Sequence, residues 1–212
     1  MKLFLTSKFH HVAADIVTKL SDEQKQQVVF ITTPFKYREF KEGELAWHYN
    51  NLDAMSKYGY KYEFYDISHK AHSDIERDLA KYKTMYVEGG NSFFLMQEAH
   101  KNNFGDYVKK RVAQGMIYIS ESAGSVCAGV DIAANSRPGK SLKDYDLPNS
   151  SGFDLVNFAF FPHWGQPEKR EDYINSKIPN AYREDYPYIL LTNHQYVEVA
   201  DDWYKIIDAT KK

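Results

Sequence analysis

An α/β fold with a mostly parallel sheet and helices on both faces is what this sequence predicts. Strand-length apolar runs alternate with longer amphipathic segments through the first 130 residues, and this is the pattern of β-α-β units. Several apolar runs end directly in Gly- or Ser-bearing turns, as strand-to-helix connections do. The last quarter changes character, with short runs and tight spacing that predict antiparallel strands near the C-terminus.

The elements follow in order. Lys2–Thr6 reads as the first strand and Val12–Leu20 as a helix; Val28–Thr32 is the second strand, closed by Pro34. Leu45–Lys57 has helical spacing, Tyr62–Ile67 is a third strand, and Ile75–Tyr82 a short helix. Met85–Val87 is a strand ending at Glu88-Gly89-Gly90-Asn91, after which Ser92 is placed to cap a helix over Phe93–Lys101. A helix over Tyr107–Ala113 stops near Gly115, and Met116–Ile119 is the next strand. Residues 135–152 read as loop. Tyr188–Thr192, Tyr196–Val199 and Tyr204–Ile207 are short strands. With no repeat and no composition break, residues 1–212 are expected to form one domain.

The composition narrows the function. The chain is 43% hydrophobic and 26% charged, which is globular rather than disordered. A net charge of −2 argues against a nucleic-acid or membrane-surface partner, whose binding draws on a basic excess. No run approaches the length of a membrane span, and the N-terminal apolar stretch is too short for a secretory signal, so a cytoplasmic protein is expected. Cys127, the single cysteine, excludes an internal disulfide and reads as a small buried residue. No His/Asp/Glu spacing matches a metal site, so neither metal nor cofactor is expected.

Ligands of open α/β sheets bind beyond the carboxyl ends of the strands. At one such end, Ile119-Ser120-Glu121-Ser122-Ala123-Gly124-Ser125 runs from an apolar strand through a tight turn into small residues. A nucleophile elbow needs that arrangement, with the Ser122 hydroxyl above the sheet and the Ala123 N–H at a helix N-terminus facing a developing oxyanion. The first glycine of G-x-S-x-G is absent, because Ser120 stands there. An ordinary βα turn with a capping serine fits the same residues. At the second strand end, Gly89-Gly90 allows close backbone approach and offers a second oxyanion donor.

A hydrolytic serine needs a base. Of eight histidines most lie in polar stretches read as exposed, but His163 directly follows the apolar run Val156–Pro162, at what should be a strand end on the same sheet edge as Ser122. A loop histidine at the solvent edge is the plain reading of the same position. His194 is the second candidate base.

Taken together, Gly89-Gly90-Asn91-Ser92-Phe93, Ile119–Ser125 and Phe161-Pro162-His163-Trp164 resemble, in order and spacing, the peptidase E family of serine peptidases, whose fold is similar to class I glutamine amidotransferases. The resemblance runs from the first strand to the last. It implies Ser122 as nucleophile, His163 as general base, Gly89, Gly90 and Ala123 as the backbone oxyanion hole, and dipeptides with an N-terminal aspartate as substrates. Glu88 and Ser120 stand where relatives commonly carry glycine. Family members draw their acid either from an aspartate between serine and histidine or from a later glutamate. Asn193 falls near the later position, and Arg137 near the earlier one. Asparagine is a poor sole partner for the base of a serine enzyme, so a carboxylate elsewhere is expected, with Asp131 and Asp154 the leading candidates. Arg137, Lys140, Lys169 and Arg170 lie in loops that could supply a cation for a substrate carboxylate. The alternative from another class is a non-catalytic binding protein on the same scaffold with a decayed triad.

Overall fold

A computed structural model describes residues 1–211. Its elements are β1 (Lys2–Thr6), α1 (Phe9–Ile16), α2 (Asp22–Gln26), β2 (Val28–Ile31), α3 (Ala46–Lys57), β3 (Tyr62–Tyr65), α4 (His72–Leu79), β4 (Thr84–Val87), α5 (Ser92–Asn102), α6 (Phe104–Ala113), β5 (Ile117–Glu121) and α7 (Ala123–Ala128). They continue with β6 (Ala159–Phe161), α8 (Pro167–Asp172), α9 (Ile178–Ala181), β7 (Tyr188–Leu190), β8 (Gln195–Ala200) and β9 (Trp203–Asp208), a π-helical turn over Tyr173–Lys177 joining α8 to α9.

The main sheet has the order β3-β2-β4-β5-β1-β8-β9. Its first five strands are parallel; β8 runs antiparallel to β1, and β9 antiparallel to β8. The expected fold class holds. Parallel strands covered on both faces need apolar side chains throughout, and β2, β4 and β5 are buried at every position. The edge strand β3 carries instead the exposed Glu63 and Phe64.

Several expectations need correction. The first helix begins at Phe9 rather than Val12, and Val17–Lys19 tightens into a 3₁₀ turn. The α5 helix is capped by Asn91, not Ser92: Asn91 Oδ1 accepts the N–H groups of Phe93 and Phe94 at 3.0 and 3.2 Å. β7 does not extend the C-terminal antiparallel group. It pairs in parallel with β6 in a separate two-stranded sheet, the register running from Ala159 opposite Tyr188 to Phe161 opposite Leu190. No described helix is long and apolar enough to cross a membrane.

Candidate active site

The Ser122 turn is built from the centre of the main sheet. β5 lies between β1 and β4, and at its end Ser122 adopts φ 45°, ψ −101°, a backbone region costly for a residue with a Cβ. The surroundings hold it there. Ser122 N–H donates to the Thr6 carbonyl at 2.9 Å, and its own carbonyl accepts from Val126 N–H at 2.9 Å, which starts α7. Gly124 is required for the approach of α7 to β4, since a Cβ there would stand 2.3 Å from the Val87 carbonyl oxygen. Three buried hydroxyls lock the turn from below. Ser120 Oγ and Ser125 Oγ share a hydrogen bond at 2.9 Å, Ser125 Oγ donates to the Thr6 carbonyl at 2.8 Å, and Thr6 Oγ1 donates to the Ser120 carbonyl at 2.7 Å. The serine standing in place of glycine at 120 is therefore part of this lattice.

The histidine arrives from elsewhere. β6 belongs to the small sheet, so His163 does not share a sheet edge with Ser122, contrary to expectation; Val130 N–H donating to the Phe158 carbonyl helps bring the segment alongside α7. His163, at φ 64°, donates its backbone N–H to Ser7 Oγ at 3.2 Å, and Ser7 donates to the Leu191 carbonyl at 2.9 Å. Ser7 thus ties the end of β1 to both the histidine and the segment carrying Asn193. His163 Nε2 lies 3.0 Å from Ser122 Oγ, and its Nδ1 lies 2.8 Å from Asn193 Oδ1. With the Asn193 carbonyl accepting, Nδ1 carries the proton and Nε2 presents its lone pair to the serine hydroxyl. Burial pushes the His163 pKa from 6.5 down to about 4, against the Asn193 hydrogen bond, which acts upward; nearby Lys169 adds to the downward shift.

The expected carboxylates lie away from this chain of contacts. Asp131 accepts from Ala133 N–H at 2.5 Å and from Tyr186 Oη at 2.6 Å, closing its own loop. Asp154 pairs with Lys109 at 3.2 Å. The residue against His163 is Asn193. His194, the alternative base, is exposed and packs against His11. Cys127 is fully buried, its thiol pushed upward by burial.

Gly90 and Ala123 line the same cavity as Ser122 and His163, a space of about 200 Å³, and Gly89 lines its continuation. A Cβ on Gly90, which sits at φ 140°, would fall 2.2 Å from the Pro34 carbonyl oxygen, so only glycine lets this turn close against the Pro34 loop. Of the four candidate cations, Arg137, Lys140 and Lys169 line this cleft, whereas Arg170 faces a different surface cavity beside Trp164. Beneath the cleft, Glu88 is fully buried with its Oε1 2.7 Å from His48 Nδ1. His48 is buried as well, not exposed as its polar stretch suggested. Glu121, also buried, accepts the Phe9 N–H at 2.7 Å. Sequence reasoning passed over Thr6, Ser7, Ser125 and His48, since isolated hydroxyls and a lone histidine carry no signal until the chain is folded.

Residues 3–207 match the model of peptidase family S51. The chain is 30% identical to the uncharacterized peptidase Lmo0363 of Listeria monocytogenes, over 92% of each chain, and 31% identical over 81 residues to a peptidase E of Shewanella putrefaciens, covering 37% of this chain and 31% of that one. In structure it is similar to a putative peptidase E protein from Listeria monocytogenes, with a TM-score of 0.83 and 26% identity over 98% of both chains. With the family model spanning nearly all of the sequence and the fold matching in the same order, this chain belongs to peptidase family S51 and is a peptidase.

Proposed function

We propose that the protein is a serine-type peptidase of small peptides, in which Ser122 attacks the scissile carbonyl and His163 takes its proton. The observation that carries this reading is the Ser122–His163–Asn193 chain of hydrogen bonds, with the serine in a strained elbow conformation at a cleft. As Oγ attacks, its proton passes to Nε2, and the resulting imidazolium keeps Nδ1–H on the Asn193 carbonyl. The tetrahedral oxygen takes N–H donors from Ala123 and the Gly89-Gly90 turn. The imidazolium then protonates the leaving amine, and neutral His163 activates the water that releases the acyl group. Asn193 orients the ring but supplies no negative charge to the imidazolium, so turnover is slow for a serine peptidase.

Arg137, Lys140 and Lys169 form the cationic side of the cleft, which supports substrates with an acidic side chain, N-terminal aspartyl dipeptides foremost. The reading also places the enzyme in the cytoplasm, where such short peptides arise. A fluorophosphonate probe together with an aspartyl-dipeptide panel tests it. Labelling at Ser122 with hydrolysis that Ser122→Ala abolishes supports it. Folded protein that neither labels nor hydrolyses overturns it in favour of a binding role.

A further inference from the structure

The main sheet ends in two different edges. At one end β3 has only four residues, and beside its exposed Phe64 stands the exposed Glu63, ion-paired with Lys81 at 2.9 Å. At the other end β9 has six residues, and no strand among the described residues pairs with its outer side. Trp203, Tyr204 and Ile206 are 49%, 44% and 51% exposed there. A long strand edge with large apolar side chains and no proline is a template for another strand, and monomeric proteins normally blunt it. Neither charge of β9 guards this edge. Lys205 Nζ lies 3.3 Å from Glu198 Oε2 on β8, and Asp208 Oδ1 accepts the Thr210 N–H at the strand's end.

The register inside the sheet shows which main-chain groups point outward. β9 pairs with β8 from Trp203 opposite Ala200 to Asp208 opposite Gln195, and one step further Ala209 N–H donates to the His194 carbonyl at 2.9 Å. Main-chain groups alternate sides along a strand, so the odd-numbered residues of β9 face β8. The N–H and C=O groups of Tyr204, Ile206 and Asp208 therefore face away from the sheet. We propose that these groups are covered by β9 of a second copy of the chain, running antiparallel about a two-fold axis at Ile206. In that register Ile206 meets its own counterpart and Tyr204 meets Asp208. All three outward residues then pair on both copies, with about six hydrogen bonds. A two-fold axis at Lys205 would set lysine against lysine, and one at Tyr204 or Ile207 would leave an outward residue of the strand without a partner. The side chains agree with the main chain. Ile206 packs on Ile206 at the axis, Tyr204 faces the Asp208 carboxylate on either side of it, and Lys205 stands opposite Ile207. A strand that fits itself in one register, with no like charges opposed, selects a second copy over an unrelated chain. The same register sets the partner's Trp203 opposite Ala209, at the strand end that is bonded to His194, the neighbour of Asn193.

Sedimentation of the full chain tests this. One strand edge and three large side chains stand at the low end of stable interfaces, so a dissociation constant of about 1–10 µM is expected. By mass action the wild type should be dimeric at about 100 µM and monomeric at about 0.1 µM. Ile206→Lys sets like charges together at the axis and should keep the protein monomeric throughout, with an unchanged circular dichroism spectrum because the side chain is half exposed. Ile206→Cys tests the register separately. Opposed residues of a hydrogen-bonded antiparallel pair lie about 5.5 Å apart, within disulfide reach, so mild oxidation should give a covalent dimer. In Tyr204→Cys the two thiols would start about 14 Å apart, and no cross-link should form. The native Cys127 is buried and stays out of this reaction. Wild-type protein that remains monomeric at about 100 µM overturns the proposal. So does a dimer that Ile206→Lys leaves intact, which puts the contact on another surface. Cross-linking of Tyr204→Cys in preference to Ile206→Cys overturns it too, because the strands would then meet in a different register. None of these readouts depends on catalysis, so the serine-peptidase reading stands or falls separately.

Discussion

The two halves of the proposed catalytic pair are built differently. Ser122 grows out of β5 in the middle of the main sheet, and its turn is locked by the Ser120, Ser125 and Thr6 hydrogen bonds and by the close approach of Gly124 to β4. His163 and Asn193 follow β6 and β7, which among the described residues pair with each other and not with the main sheet; Phe160, Ile189 and Leu191 pack into the main core, and Ser7 hydrogen-bonds both segments to the end of β1. The strained conformation of Ser122 is over-determined by its neighbours. The base depends on a few polar contacts, and its partner is an amide where a serine enzyme gains most from a carboxylate. Rigidity is concentrated in the turn that presents Ser122, while the basicity of His163 is set by its burial and by the side chain at position 193.

That contrast can be broken in several ways. The largest expected effect is from Ser122→Ala, which should lower kcat/KM at least about 10³-fold while moving Tm little, because the hydroxyl faces the cleft and not the lattice beneath. Retained activity with native Tm would remove Ser122 from the mechanism. Next comes Gly124→Ala, whose Cβ must displace the Val87 backbone. It should cost about 1–3 kcal/mol in urea unfolding and also depress probe labelling, since the elbow moves with α7. If labelling survives intact, the elbow is less rigid than its contacts indicate.

On the other half, Asn193→Asp should raise kcat about tenfold by placing a negative charge against the imidazolium. The same substitution sharpens a pH prediction. The proposed mechanism needs neutral His163, so in the wild type the acid limb of kcat/KM should lie near 4, not near 6.5. An added carboxylate favours the protonated ring, so in the variant that limb should shift to higher pH. A limb that stays in place shows that residue 193 does not face the ring in solution.

The smallest effect is on stability. Burial raises the Glu88 pKa to about 7, so the folded protein holds a proton that the unfolded chain releases above about 4.5. That contribution is present below about 4.5 and fades as pH rises to about 7. His163 acts in the opposite sense: its depressed pKa gives stability present above about 6.5 and lost as pH falls toward 4. The two slopes oppose each other over most of this range. Glu121, raised by burial to about 8, adds a slope of the same sign as Glu88, so Glu88→Gln should remove only part of it. Between about pH 4.5 and 7 the variant's urea midpoint should fall less, or climb more, with pH than the wild type's, and a pH dependence unchanged from wild type would show that Glu88 is not a source of the opposing slope.

Much of the fold was legible because it rests on local pattern. Apolar runs such as Val28–Ile31 and Ile117–Ile119 are strands wherever they lie, and small residues after Ser122 signal a tight turn before any contact is known. The resemblance in motif order pointed to the family that the comparisons then gave. What could not be read was pairing between distant segments. Tyr188–Leu190 looks like any short strand, and nothing local says that it joins Ala159–Phe161 in parallel and not the main sheet. Asp131 and Asp154 were attractive as acids because chain order places them between serine and histidine, but a hydrogen bond depends on space, and each is held by its own neighbours.

By itself, then, the sequence determined the α/β class, the order of the strands along the chain, the turn that carries Ser122 and the candidacy of His163, all consequences of residue size, polarity and spacing over a few positions. Only the tertiary structure decided that Asn193 meets His163, that Arg170 leaves the cleft while Arg137, Lys140 and Lys169 enter it, and that Glu88 and Glu121 are buried near Ser122. The reason is physical: a side chain's partner, its dielectric surroundings and hence its charge are set by segments far away in the chain, as Leu191 is 184 residues from Ser7, and no local pattern encodes them.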